Sequence, residues 1–174
     1  SRSGLITGRY PTSIGSHHMR STLLAPPPMF TEYLKKAGYL VCWPTKSPYG
    51  KTDFNFSLPK DCFDRVDDWT KDMPKQPFFG FINILTSHES QIRAGPEQMA
   101  KNLARLKPSE RRDPAKMKLP AYTPDTPETR RDLANYYDLV TAVDYRVGDV
   151  LDALDKAGIA DNTVVIAAVN VVFP

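Results

Sequence analysis

No apolar run in this chain is long enough to span a bilayer. The longest lie near Phe78–Leu85 and Val164–Val169, far short of the roughly 20 residues that a crossing helix needs. Cysteine is scarce. Cys42 and Cys62 are the only two, 20 positions apart. That spacing fits no metal knuckle, and it leaves a disulfide in an oxidising compartment or two unpaired thiols, of which we take the thiols. Charge of one sign is also weak. The balance of 23 basic against 20 acidic residues gives +3, too mild to argue for a nucleic-acid partner. Histidine occurs three times, twice as neighbours.

What is plentiful is proline, 16 of 174 residues, against a norm of roughly 5%. The prolines cluster between elements and predict long irregular connections. A hydrophobic content of 41% and a charged content of 25% are those of a globular protein. The length suits one domain with a real core and is too short for two large ones.

The pattern of elements is that of an α/β chain. Ser3-Gly4-Leu5-Ile6 opens a short helix that Gly8 ends. FTEYLKKA, Phe30 to Ala37, reads as an amphipathic helix stopped by Gly38, and Tyr39–Trp43 follows as a buried strand. Between Pro59 and Met73, Cys62, Phe63, Val66 and Trp69 suit one side of a short helix. Phe78–Leu85 is apolar on both faces, as a central parallel strand covered on both sides must be. Asp125-Thr126-Pro127-Glu128 offers a cap, a first-turn proline and an acid at the positive helix end. Leu133, Tyr137, Val140, Val143, Val147, Leu151 and Leu154 then mark one long helix over 128–157, up to Gly158. A buried strand is expected over 163–168. Buried strand alternating with amphipathic helix predicts a largely parallel sheet.

Several residues have chemistry suited to an oxyanion. Arg2 carries a planar fork of donors, and the amides of the short helix after it favour negative charge. Lys51, in Tyr49-Gly50-Lys51-Thr52-Asp53, is a compact positive charge on a loop. His88 follows the Phe78–Leu85 strand, beyond whose carboxyl end an open α/β sheet places its ligands. His17 and His18 cannot share one face of a helix or strand. One of them turns towards the site or both belong to a polar loop, and the sequence does not choose between them. From Gly95 to Pro124, seven Lys and Arg residues face three acids. This segment is either a basic patch that steers a polyanion or a solvated insertion.

Taken in order, these stretches resemble the sulfatase family. Ser1-Arg2 and Thr7-Gly8-Arg9 are similar to the end of its signature, C-x-P-S-R followed by T-G-[RK]. The lysine loop resembles the family's G-K-W-H segment, with Asp53 in place of the usual histidine, as in the K-T-D of some subgroups. Pro77-Phe78-Phe79 through His88 resembles the strand whose histidine binds sulfate. Tyr137 to Ile166 resembles the long helix, glycine, N-T and strand that precede the metal-binding turn.

The resemblance implies an alkaline-phosphatase-like α/β/α sandwich with a largely parallel central sheet, incomplete in this chain. Residues 1–174 would be a partial catalytic domain, starting inside the signature and ending before the metal-binding turn. It implies hydrolysis of sulfate esters, with Arg2, Lys51 and His88 as catalytic residues. His17, His18, Arg9 and Asp53 would contact substrate. Calcium or magnesium and formylglycine serve the intact family, but the metal ligands and the modified cysteine, three places before Ser1, are not in this sequence. The polypeptide as given is therefore expected to be inactive. The implied partners are a sulfated small molecule or sulfated glycan, with no nucleic acid and no membrane span. The family suggests an extracytoplasmic setting (secreted, periplasmic or lysosomal), and the lack of a visible signal peptide does not bear on it. A phosphodiesterase or phosphatase of the same superfold, or a non-catalytic anion-binding remnant, are the alternatives.

Overall fold

The computed structural model describes residues 2–18, 21–46, 50–52 and 54–168, which form two compact units, Ser1–Asn83 and Ile84–Pro174.

The first unit is built on a pair of parallel strands. Helix α1 (Arg2–Thr7) ends at Gly8, whose φ of 63° lies in the left-handed region that closes helices. Helix α2 (Phe30–Lys36) starts at Met29, whose N–H donates to Glu32 Oε1 at 3.1 Å. It ends with Lys35 and Lys36 at the negative pole of its dipole. Gly38, at φ 87°, turns the chain into strand β1 (Leu40–Cys42). Strand β2 (Phe78–Gly80) pairs with it in register Leu40–Phe78, Val41–Phe79, Cys42–Gly80.

The sheet holds one side of an aromatic core. Trp43, just past β1, is fully buried and stacks on Phe81 at 3.7 Å and Phe63 at 5.1 Å between centroids. Ile6, Met29, Val41 and Phe56 complete this cluster, each such side chain contributing about 1.5–3 kcal/mol of burial. The Trp69 ring lies flush on Gly80, where an added Cβ would come within 2.5 Å of it, and its Nε1–H donates to Phe81 O at 3.1 Å. Only glycine leaves room for that ring.

Three expectations about elements need correction. β2 stops at Gly80 rather than running to Leu85, although Phe81 N still donates to Cys42 O at 2.8 Å as a last rung. No helix forms between Pro59 and Met73. Asp61 takes a φ of 60°, and the backbone after it is committed to the free edge of β1. Asp64 and Arg65 donate to Val41 O, while Trp43 N and Thr45 N donate to Arg65 O and Val66 O. Phe63 and Trp69 are buried as expected, but Val66 is half exposed. Residues 163–168 are not a strand: Val164 and Ile166 are 89% and 85% exposed, and no described strand pairs with them.

The second unit is organised by helix α4 (Pro127–Lys156), 30 residues long. Thr126 caps it by accepting from Thr129 N at 3.2 Å, Pro127 fills the first helical position, and Gly158 closes it at φ 68°. Against it pack helix α3 (Pro96–Asn102) and short 3₁₀ turns at Glu89–Arg93, Pro108–Glu110 and Pro114–Lys116. Leu103, Leu139 and Ala142 form the core, with Ile92, Met99 and Leu106 beside them. The buried face of α4 also takes in Ala134 and Asp138, so it is rotated from the expected stripe: Tyr137, Val140 and Leu151 are each more than 40% exposed. Asp138 sets that rotation. It receives Arg111 Nε at 2.5 Å and the Arg112 N–H at 2.9 Å. Among the described residues no helix is long and apolar enough to cross a membrane.

Candidate functional site

Arg2 opens α1, and its Nε donates to Thr52 O at 3.1 Å. The segment beginning the chain is thereby joined to the lysine loop 50 positions away. One further bond and one buried side chain reinforce the contact: Asn55 N donates to Ser3 Oγ at 3.0 Å, and Ile6 buries fully among the core aromatics. Inside the helix, Thr7 Oγ1 donates back to Ser3 O at 2.7 Å.

Lys51 is positioned by its neighbours. Gly50 is buried so tightly that an added Cβ would collide with the backbone N and O of Lys46 and come within 2.6 Å of Pro44 C. The chain can enter the lysine loop on this path only through glycine. Lys51 O accepts a long bond, 3.4 Å, from the buried Trp43 indole. Both Arg2 and Lys51 are partly buried, where a cation acts on an anion through less water than at an open surface.

The histidine pair lies in the same unit. The rings of His17 and His18 are exposed, with centroids 4.1 Å apart. Asn55 Nδ2 donates to Ser16 O at 2.8 Å and to His18 O at 3.0 Å. Arg9 is exposed just past Gly8, its main-chain N 3.4 Å from Thr7 Oγ1. Asp53 lies outside the described residues.

His88 belongs to the second unit, where it caps the 3₁₀ turn Glu89–Arg93. Its Nδ1 accepts from Ser90 N at 3.3 Å and lies 2.9 Å from Ser90 Oγ. A neutral ring that accepts at Nδ1 carries its proton on Nε2. Arg2 and Lys51 are thus brought together within one unit, and His88 is described within the other.

The site residues that sequence reasoning missed are Ser3, Ser16, Thr52 and Asn55. None has a chemical signature that stands out. Their signal was positional, since each directly neighbours a candidate or, in the case of Asn55, ends the lysine loop.

A cavity of about 610 Å³ in the first unit lies at the amino ends of β1 and β2, the pole opposite to where open sheets bind ligands. It is an ion-pair network. Lys35 Nζ meets Asp64 Oδ1 at 2.7 Å, and Arg65 meets Asp67 at 2.5 Å and Asp72 at 3.5 Å. Burial pushes the Asp64 carboxyl up, but the Lys35 ammonium and the Val41 N–H outweigh it and hold it below the usual range. The Asp67 carboxylate raises Arg65 further still.

A divalent cation and a cysteine-derived nucleophile do not fit the described residues. Among the described residues no group of three or more His, Cys, Asp or Glu side chains is placed to hold a metal ion. Cys42 is buried in β1 with its thiol pushed up to about 11, chiefly by desolvation. Cys62 is partly buried, and burial raises its thiol too. The two are unpaired.

The family model described as Sulfatase matches residues 1–168. An ulvan-active sulfatase of Formosa agariphila is 30% identical over 207 aligned positions, covering 95% of this chain and 34% of that protein. The chain thus spans about a third of the length of the curated relative it matches. No solved structure matches it at a significant level.

Proposed function

The chain belongs to the sulfatase family, and on that premise we propose that it supplies the cationic side of the sulfate pocket of a sulfuric ester hydrolase. The observation that carries this is the bond from Arg2 Nε to Thr52 O, which puts the signature arginine against the lysine loop. A sulfate ester is oxygen-rich and gathers charge on its leaving oxygen as the S–O bond breaks. Fixed cations aimed at that charge stabilise the transition state more than the ground state. In this reading Arg2 grips two sulfate oxygens with its fork. Lys51 places its ammonium beside the leaving oxygen, while His88 enters the reading from the family resemblance alone. Arg9, His17 and His18 contact the substrate, and the resemblance implies the same role for Asp53.

The substrate is a sulfated small molecule or glycan, and the similarity to an ulvan-active sulfatase makes ulvan the first to try. The setting we propose is extracytoplasmic. Calcium or magnesium and formylglycine belong to the whole enzyme's chemistry. The described residues form no metal cluster, and neither Cys42 nor Cys62 stands in a C-x-P-S-R sequence.

It follows that the 174-residue polypeptide turns over no sulfate ester by itself. The test assays it with a chromogenic aryl sulfate and calcium, beside a version extended at both ends to the length of the curated relative and matured to formylglycine. The expected result is turnover by the extended protein alone. Turnover by the short chain would refute its inactivity. Silence from the matured, extended protein would turn the reading towards a phosphodiesterase or phosphatase of the same superfold.

A further inference from the structure

Asn55 ties three segments of the first unit together. Its main-chain N–H holds Ser3 Oγ at 3.0 Å, directly after Arg2 in sequence. It ends the loop that begins at Lys51, and its Nδ2 reaches the carbonyl oxygens of Ser16 and His18 at 2.8 and 3.0 Å. Both acceptors are main-chain carbonyls, so each must be met by an N–H or O–H. A carboxamide NH₂ has two hydrogens to give, one for each; an aspartate has none and a serine has one.

Among the described residues, the other main-chain bonds of this loop are local. Ser16 N donates to Pro11 O and Ser21 N to His18 O, both within the local turns. The Ser16 hydroxyl is buried with no hydrogen-bond partner. The two histidine rings, 4.1 Å apart, point no anchor inward, since both residues are exposed. The position of the histidines relative to Arg2 and Lys51 therefore depends on the Asn55 carboxamide.

We infer that Asn55 is a positioning residue that locks the His17–His18 loop beside the Arg2–Lys51 cations, so that an imidazole joins them around one bound sulfate. This rests on the sulfate-pocket reading above. The physical gain is preorganisation. A loop already fixed by two bonds does not have to be ordered when the anion arrives.

The test titrates the 174-residue chain with sodium sulfate at constant ionic strength, read by NMR at the side chains of Arg2, Lys51, His17 and His18. In the wild type, at least one histidine should shift along the same binding curve as Arg2 and Lys51. In Asn55→Ala, which keeps the main-chain bond to Ser3, the histidine response should be lost and binding at Arg2 and Lys51 weakened about fivefold. Asn55→Asp, of the same shape but without donors, should behave like the alanine variant. Asn55→Gln, which retains the carboxamide, should restore part of the histidine response. A purely structural role predicts a lower unfolding midpoint with the four residues still titrating together.

That last outcome would overturn the proposal, as would histidines silent in the wild type while Arg2 and Lys51 respond. The wild-type comparison needs no variant to fold. No response anywhere in the wild type would instead strike down the sulfate pocket itself, and this inference with it.

Discussion

At the scale of single residues, the charges of this chain serve two purposes that look alike in sequence. Lys35 and Arg65 are spent on structure, while Arg2 and Lys51 sit where a loop and a helix meet. Asp64 shows what the structural pairs contribute. It accepts the Lys35 ammonium at 2.7 Å and the Val41 N–H at 2.8 Å, so it fastens the edge of β1. Its carboxyl is held low against the opposing effect of burial. A carboxyl lowered in the native state takes up its proton more readily when unfolded. Its contribution is therefore complete above the unfolded value near 4 and is lost as pH falls through the lower native one. Asp64→Asn keeps the acceptor for Val41 and loses the ion pair. Wild type should be the more stable by about 1 kcal/mol or less at neutral pH, and the gap should close in thermal melts as pH falls below about 4. A gap that persists at the acid end would show that the loss is not one of charge.

At the scale of elements, local signals were legible and non-local ones were not. Helices α2 and α4 were readable to within a residue or two, because caps, glycine stops and apolar spacing lie within the helix. β1 was readable for the same reason, coming straight after Gly38. β2 was over-read, since an apolar run states burial and not where pairing ends. The failed helix between Pro59 and Met73 was hidden because its backbone answers to β1, some 20 positions earlier. The face of α4 was misjudged through Asp138, a charge on the buried side that no hydrophobic pattern would select. Its partners Arg111 and Arg112 belong to the basic segment, which these bonds tie to α4. Asp138→Ala should leave the Arg112 N–H without its acceptor and release Arg111, lowering stability by about 1–3 kcal/mol. Hydrogen exchange should locate the loosening at residues 107–117. Loosening spread evenly along α4 instead would mean that Asp138 serves the helix and not the insertion.

At the scale of the whole molecule, family membership was legible because ordered motifs survive where single ones are ambiguous. The site was legible only in part, since Thr52 acts through its main-chain carbonyl and the Asn55 carboxamide bonds carbonyls far away in sequence. A sulfate pocket built from Arg2 and Lys51 has a thermodynamic consequence that needs no catalysis. A ligand that binds only the folded chain stabilises it by mass action, by about 1.4 kcal/mol at ten times its dissociation constant. For a chain of this length that is a rise of roughly 3–5 °C in the unfolding midpoint. Sulfate also stabilises proteins non-specifically by exclusion from their surface, so the raw shift decides nothing. The specific part is the difference between wild type and the Arg2→Ala, Lys51→Ala double variant, measured in sulfate and in chloride of equal ionic strength. That difference should grow with sulfate and saturate, whereas the exclusion effect rises in both proteins without saturating. Parallel rises would mean that the two residues hold no anion. The fold and family would stand, and the pocket would have to be sought elsewhere.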